Sequence, residues 1–124
     1  MIEISDQQFE DLIGQALDEL PEEYVKRLLA NVAVTWADEP TLEQRQKLNL
    51  RDDQSLFGLY EGLPLTERYS GSNKITPDVI TIFKIPITGY SHDMASLKNQ
   101  IKRTVCHEMA HYFGLNHDQI AERE

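Results

Sequence analysis

One cysteine, Cys106, stands in the whole chain, and a single thiol cannot close an internal disulfide. The fold must therefore be held by its core alone, and a reducing cytoplasmic compartment is the expected setting. Basic residues are also scarce: 12 Lys and Arg face 21 Asp and Glu, a net charge of −9. That balance opposes non-specific attraction to nucleic acids and anionic membranes, both polyanions, and is compatible with basic or unfolded peptide partners. The same charge also serves plain solubility. No apolar run approaches the roughly 20 residues of a membrane span. The acidic, amphipathic start "MIEISDQQFEDLIGQALDEL" lacks the basic and then apolar layout of a secretory signal. Repeats, low-complexity tracts and linkers are missing too, so residues 1–124 are expected to form one domain around one core.

What is present falls into segments of distinct period. In "SDQQFEDLIGQALDEL", Phe9, Leu12, Ile13, Ala16, Leu17 and Leu20 recur at three- and four-residue spacing, with Ser5 or Asp6 as the cap. This predicts an amphipathic helix. "PEEYVKRLLAN" restarts one, with Pro21 at its first position and acids in the first turn. In "NVAVTWADEP" the period changes to two, predicting a strand that ends before Pro40, with Trp36 in the core. Thr41 to Ser55 reads as a loop with a turn or two of helix around Leu42 to Leu48. "LFGLYEGLPL" suggests a second strand bending at Gly62 and Pro64, and "ERYSGSNKITPD" is rich in turn formers. "DVITIFKIPI" alternates β-branched residues and predicts the strongest strand. From a Ser91 cap to Gly114 the period is helical again, with Met94, Leu97, Ile101, Val105 and Tyr112 as the apolar stripe, and a short tail follows. The expected class is α+β, a small sheet of about three strands packed by helices.

The chemistry concentrates in "HEMAHYFGLNH", residues 107–117. On an α-helix, residues four apart lie only about 40° apart around the axis, so His107 and His111 can converge on one ion. Glu108, about 100° from His107 and about 60° from His111, stands at the margin of that face. There it can reach a water on the metal without being a ligand itself, which is why H-E-x-x-H on a helix reads as a zinc hydrolase site with Glu as the base. A third ligand six residues after His111 cannot stay on a straight helix and face the same ion. Gly114 tolerates the left-handed conformation that ends a helix, and His117 follows on the far side of the turn. Three protein ligands leave a fourth position for water, the mark of a catalytic rather than a structural zinc. H-E-x-x-H alone arises by chance in roughly a few per thousand chains of this length, and the added Gly and His cut that by roughly a thousandfold.

The residues "HEMAHYFGLNH" match H-E-x-x-H-x-x-G-x-x-H, the long zinc motif of metzincin peptidases. The methionine turn of that class has no counterpart, since seven residues follow His117 and none is Met. As a whole the chain resembles the short bacterial zincin-like metallopeptidases, in "NVAVTWADEP", "LFGLYEGLPLTER", "DVITIFKIPI" and "IKRTVCHEMAHYFGLNHD". "GLYEGLPLTER" is the most distinctive of these outside the zinc motif. The resemblance implies a stripped-down zincin core, with Zn2+ held by His107, His111 and His117 and with Glu108 as the base. Acidic residues also occur at the family position of His117, which makes Asp118 a neighbouring candidate. The spacing of the three histidines is also similar to that of small ribosomal-RNA maturation endonucleases, where Gly typically follows the first His; Glu108 stands there instead and favours the peptidase. A zinc-stabilised binding module without turnover is the third reading.

Other residues carry less. His92 lies about four helical turns from His107, too far to share an ion, and fits a helix start. Cys106 points about 100° away from His107 and fits an inert, buried thiol. An electrophile for the oxyanion could come from Tyr60, Arg68, Tyr69 or Tyr90, which sequence alone does not rank. The expected function is zinc-dependent hydrolysis of peptide bonds, with a strand edge able to align the substrate.

Overall fold

Two capping boxes set the helices that frame the molecule. The Ser5 hydroxyl accepts from the Gln8 amide while the Gln8 side chain accepts from the Ser5 amide, starting α1 (Asp6–Asp18). Asp93 and Ser96 make the same reciprocal pair at the start of α5 (Met94–Phe113), the longest helix described. Each pair satisfies donors that a helix start otherwise leaves open. In this computed structural model, residues 2–62 and 78–114 are described. Between α1 and α5 come α2 (Glu22–Asn31), β1 (Val32–Ala37), α3 (Leu42–Lys47), β2 (Gly58–Glu61), β3 (Asp78–Phe83) and α4 (Lys84–Tyr90). Pro64, Arg68, Tyr69 and the turn-rich stretch before Asp78 lie outside the described residues, as do His117, Asp118 and the tail.

The sheet runs β1-β3-β2, with β1 parallel and β2 antiparallel to β3. As the central strand, β3 has Ile80, Ile82 and Phe83 fully buried, whereas Val32, Val34 and Trp36 of β1 face inward and Ala33 and Thr35 are exposed. This is the α+β architecture expected from the periods: among the described residues, five helices around a small mixed sheet. Phe9, Leu12, Ile13 and Ala16 of α1 meet Leu97, Ile101, Val105 and Tyr112 of α5 and Ile80 and Ile82 of β3 in one core. Trp36 is half-buried rather than fully in the core. Its ring stands edge-on to Phe9 at 5.8 Å, and its indole N–H donates to Glu10 at 3.0 Å.

Three local expectations are corrected. "KIPI" does not continue β3 but opens α4. Pro86 occupies an early helical position where a missing N–H costs nothing, and the Ile85 amide donates to the Asp38 carbonyl at 3.0 Å. Ile85 is exposed and Ile87 fully buried, so an apparent two-residue alternation runs over into a helical segment. Ser91 ends α4 instead of capping α5, and Asp93 is the cap. Met94, placed on the apolar stripe by its spacing, is 45% exposed because the first turn of α5 projects past the core.

Ile101 lies at the middle of the buried face of α5, at 0% exposure. Ile101→Ala should lower unfolding stability by about 2–5 kcal/mol through lost burial and an unfilled cavity. Urea unfolding followed by circular dichroism measures this, and an unchanged midpoint would show that α5 is not central to the core.

Candidate metal centre

α5 carries the site on the side next to its core face. Counting 100° per residue from Leu97, Ile101 falls at about 40°, Tyr112 at about 60° and Val105 at about 80°. Glu108 falls at about 20°, inside this buried sector, whereas His111 and His107 fall at about −40° and −80°, outside it. The structure follows that arithmetic. Glu108 is 6% exposed, and both histidines are half-buried. Glu108, at the margin of the histidine face by its spacing, therefore also lies within the apolar sector.

One ligand atom from each of His107, Glu108 and His111 can be chosen so that all three lie within 4.8 Å of one another. The imidazole centroids are 4.4 Å apart, with the planes at 68°. Two ligand atoms on one tetrahedral zinc are separated by roughly 3.3 Å, so small rotations of half-buried imidazoles bring the pair to binding distance. His111 Nδ1 lies 3.2 Å from Glu108 Oε1. A proton on Nδ1 donates to that oxygen and leaves Nε2 with the lone pair a cation requires. The donor set, two imidazoles beside a carboxylate, fits zinc.

β2 closes one side of the site. The Phe83 amide donates to the Phe57 carbonyl at 2.8 Å, and the register pairs Gly58 with Ile82 and Tyr60 with Ile80. In an antiparallel pair the bonded positions alternate, so the amides of Gly58 and Tyr60 point away from β3 and out of the sheet. The Tyr60 amide donates to Glu108 Oε1 at 3.0 Å. Burial pushes the pKa of the Glu108 carboxyl above its ordinary value of 4.5, against the opposing pull of His107 and of the Tyr60 N–H. A cavity of about 390 Å³ opens beside it, between residues 55–58 and Arg103, Thr104, His107 and Glu108.

Of the residues singled out in the sequence, His107, Glu108 and His111 come together. The Tyr60 hydroxyl donates to the buried Asp78 carboxylate at 2.6 Å, so Tyr60 meets the site through its backbone. Tyr90 is exposed and rests against Phe57, centroids 5.2 Å apart. Cys106 is buried, and His92 lies in the bend before α5. Sequence reasoning missed the 55–58 segment, Thr104 and Arg103. Arg103 stands four residues before His107, a spacing visible in the sequence; the approach of residues 55–58 is a long-range contact with no local signal.

The raised pKa of Glu108 has a definite sign in stability. In the metal-free protein the folded state prefers the protonated carboxyl, so its contribution is full below the unfolded value and is lost as pH rises through the folded one. Glu108→Gln removes this dependence. Relative to wild type, the metal-free Gln variant should gain stability as pH rises from about 4 towards 7. Chemical unfolding at several pH values in chelator measures the difference, and a pH-independent difference would contradict the burial argument.

No curated protein matches this chain. Among solved structures, a conserved hypothetical protein from Thermus thermophilus is similar over 97% of this chain and 100% of its own, with a TM-score of 0.59 at 19% identity. At that identity the likeness concerns the fold. Residues 29–124, from the end of α2 through the histidine motif, match the sequence profile of the zincin-like metallopeptidases. With this match over most of its length and a His-Glu-His cluster on the expected helix, the chain belongs to the zincin-like metallopeptidase family.

Proposed function

We propose that the chain is a zinc-dependent hydrolase of peptide bonds, in which His107, His111 and His117 hold the ion and Glu108 is the general base. The observation that carries this reading is the convergence of two half-buried imidazoles beside a buried carboxylate, at the wall of a cavity and next to an outward-facing strand edge. Zinc bound there would polarise the scissile carbonyl and acidify a water. Glu108 takes the proton of the attacking water and hands it to the leaving nitrogen. We assign that work to Oε2, because Oε1 is engaged by the Tyr60 amide and His111. Burial supports the role, since a carboxyl whose pKa is held above its ordinary value is a better proton acceptor near neutral pH. The outward N–H and C=O of Gly58 and the outward C=O of Tyr60, whose amide is held by Glu108, offer a substrate peptide a strand to pair with. The net charge of −9 favours a peptide over RNA.

Two experiments test the assignment. Purified protein should carry about one zinc per chain, as expected of a three-ligand site, and His107→Ala with His111→Ala should carry none. Glu108→Gln should keep zinc but lose about 10²–10⁴-fold in hydrolysis of a peptide library, the usual share of a general base. Wild-type cleavage by that variant would refute the mechanism. Cleavage of structured RNA, with no peptide cut, would replace the peptidase with a metal-dependent nuclease. The third ligand is tested separately by chelating-dye competition: His117→Ala should weaken zinc binding by orders of magnitude, Asp118→Ala far less, and His117→Asp should keep a usable site because carboxylate oxygen ligates zinc at nearly the same distance. A larger loss in Asp118→Ala would move the ligand to Asp118.

A further inference from the structure

β2 and α5 touch at two successive rungs. Gly58 faces Thr104, and the Tyr60 amide reaches Glu108. Two residues of strand advance about 6.8 Å and four residues of helix about 6 Å. The two rungs therefore keep step along the same strand and helix. The first rung is the tighter. A Cβ at Gly58 would lie 2.6 Å from Thr104 Cγ2, and 3.3 Å from both Ile82 Cδ1 and the Thr81 carbonyl oxygen. Thr104 cannot simply turn away: it is buried, and its hydroxyl donates to the Gln100 carbonyl at 2.8 Å, which sets its rotamer. Ile82 behind the strand is fully buried as well.

We propose that Gly58 and Thr104 form a spacer that sets the separation between β2 and α5 at which the Tyr60 amide holds the Glu108 carboxylate, making both of them positioning residues for the general base. The inference rests on the reading of Glu108 as that base. Ordinary carbon–carbon contact is about 3.5–4.0 Å, so a Cβ at position 58 pushes the strand back by roughly 1 Å. The Tyr60 bond, 3.0 Å long, would then stretch to roughly 4 Å, beyond hydrogen-bond reach. Removing only the Thr104 methyl makes room for the added carbon and keeps the hydroxyl. The side chain missing at Gly58 and the methyl present at Thr104 are two halves of one fit.

The test uses the full zinc-loaded chain as wild type, Gly58→Ala, Thr104→Ser, Gly58→Ala with Thr104→Ser, and Glu108→Ala as the reference for a lost bond. The readout is the Tyr60 backbone amide by heteronuclear NMR. In Gly58→Ala its exchange with solvent should be at least about tenfold faster than in wild type, and its proton resonance should shift towards that of Glu108→Ala. In the double variant, exchange should return to within about twofold of wild type. Zinc affinity should stay within about threefold in the Gly58 and Thr104 variants, because the histidines are not displaced. An unchanged Tyr60 amide in Gly58→Ala overturns the proposal, and so does a loss that Thr104→Ser fails to restore. If Gly58→Ala does not fold, recovery of fold and Tyr60 protection together in the double variant supports the spacer, and recovery of fold alone overturns it. This readout needs no substrate, so it fails separately from the peptidase assignment, which stands or falls on zinc content and hydrolysis.

Discussion

Burial of Leu97, Ile101, Val105 and Tyr112 against α1 and β3 fixes the rotation of α5 about its own axis. With that rotation set, every other side chain of the helix has its direction assigned. Glu108 falls among the buried positions, His111 and His107 on the neighbouring face, and Arg103 and Thr104 beside the cavity. A rotation of one residue, about 100°, would bury an imidazole and expose the carboxylate. The site therefore inherits its geometry from the core.

Placing a carboxyl within an apolar sector is costly unless hydrogen bonds compensate it. Here β2 supplies one. The Tyr60 amide, turned out of the sheet by strand alternation, donates to Glu108, so a backbone group that an edge strand would otherwise present to solvent is used inside the protein. Burial and this bond act on the carboxyl in opposite directions, and burial dominates. The side chain of the same residue fastens the strand, through its hydroxyl to Asp78 and its ring edge-on to Tyr112 at 6.0 Å. Tyr60 thus ties the site to both the central strand and the active helix.

The far side of the sheet is held by different means. Lys84, mostly buried, pairs with Asp6 at 2.7 Å and lies 5.7 Å from the centre of the Trp36 ring. This joins α4 to the start of α1 and to β1. Asp6 itself is well exposed, so solvent screens the pair and its value is chiefly in orientation.

Much of this was written locally. Ser5 with Gln8, the three- and four-residue apolar spacing of α1 and α5, the alternation of β1 and the glycine at 114, which adopts φ 74°, are each short-range devices that act before any distant contact forms. The pairing of His107 with His111 is equally local, because four residues of helix are enough to bring them together. The same local reading failed at "KIPI", where alternation crossed from a strand into a helix, and at Ser91 and Met94, because a cap and an exposed first turn depend on where the core ends. Only tertiary structure could decide that β2 lies against α5 closely enough for the Tyr60 amide to reach Glu108, 48 positions later in the chain. Sequence spacing specifies directions along one element; the distance between two elements is set by what packs between them, and at Gly58 and Thr104 that is a single missing carbon opposite a single methyl.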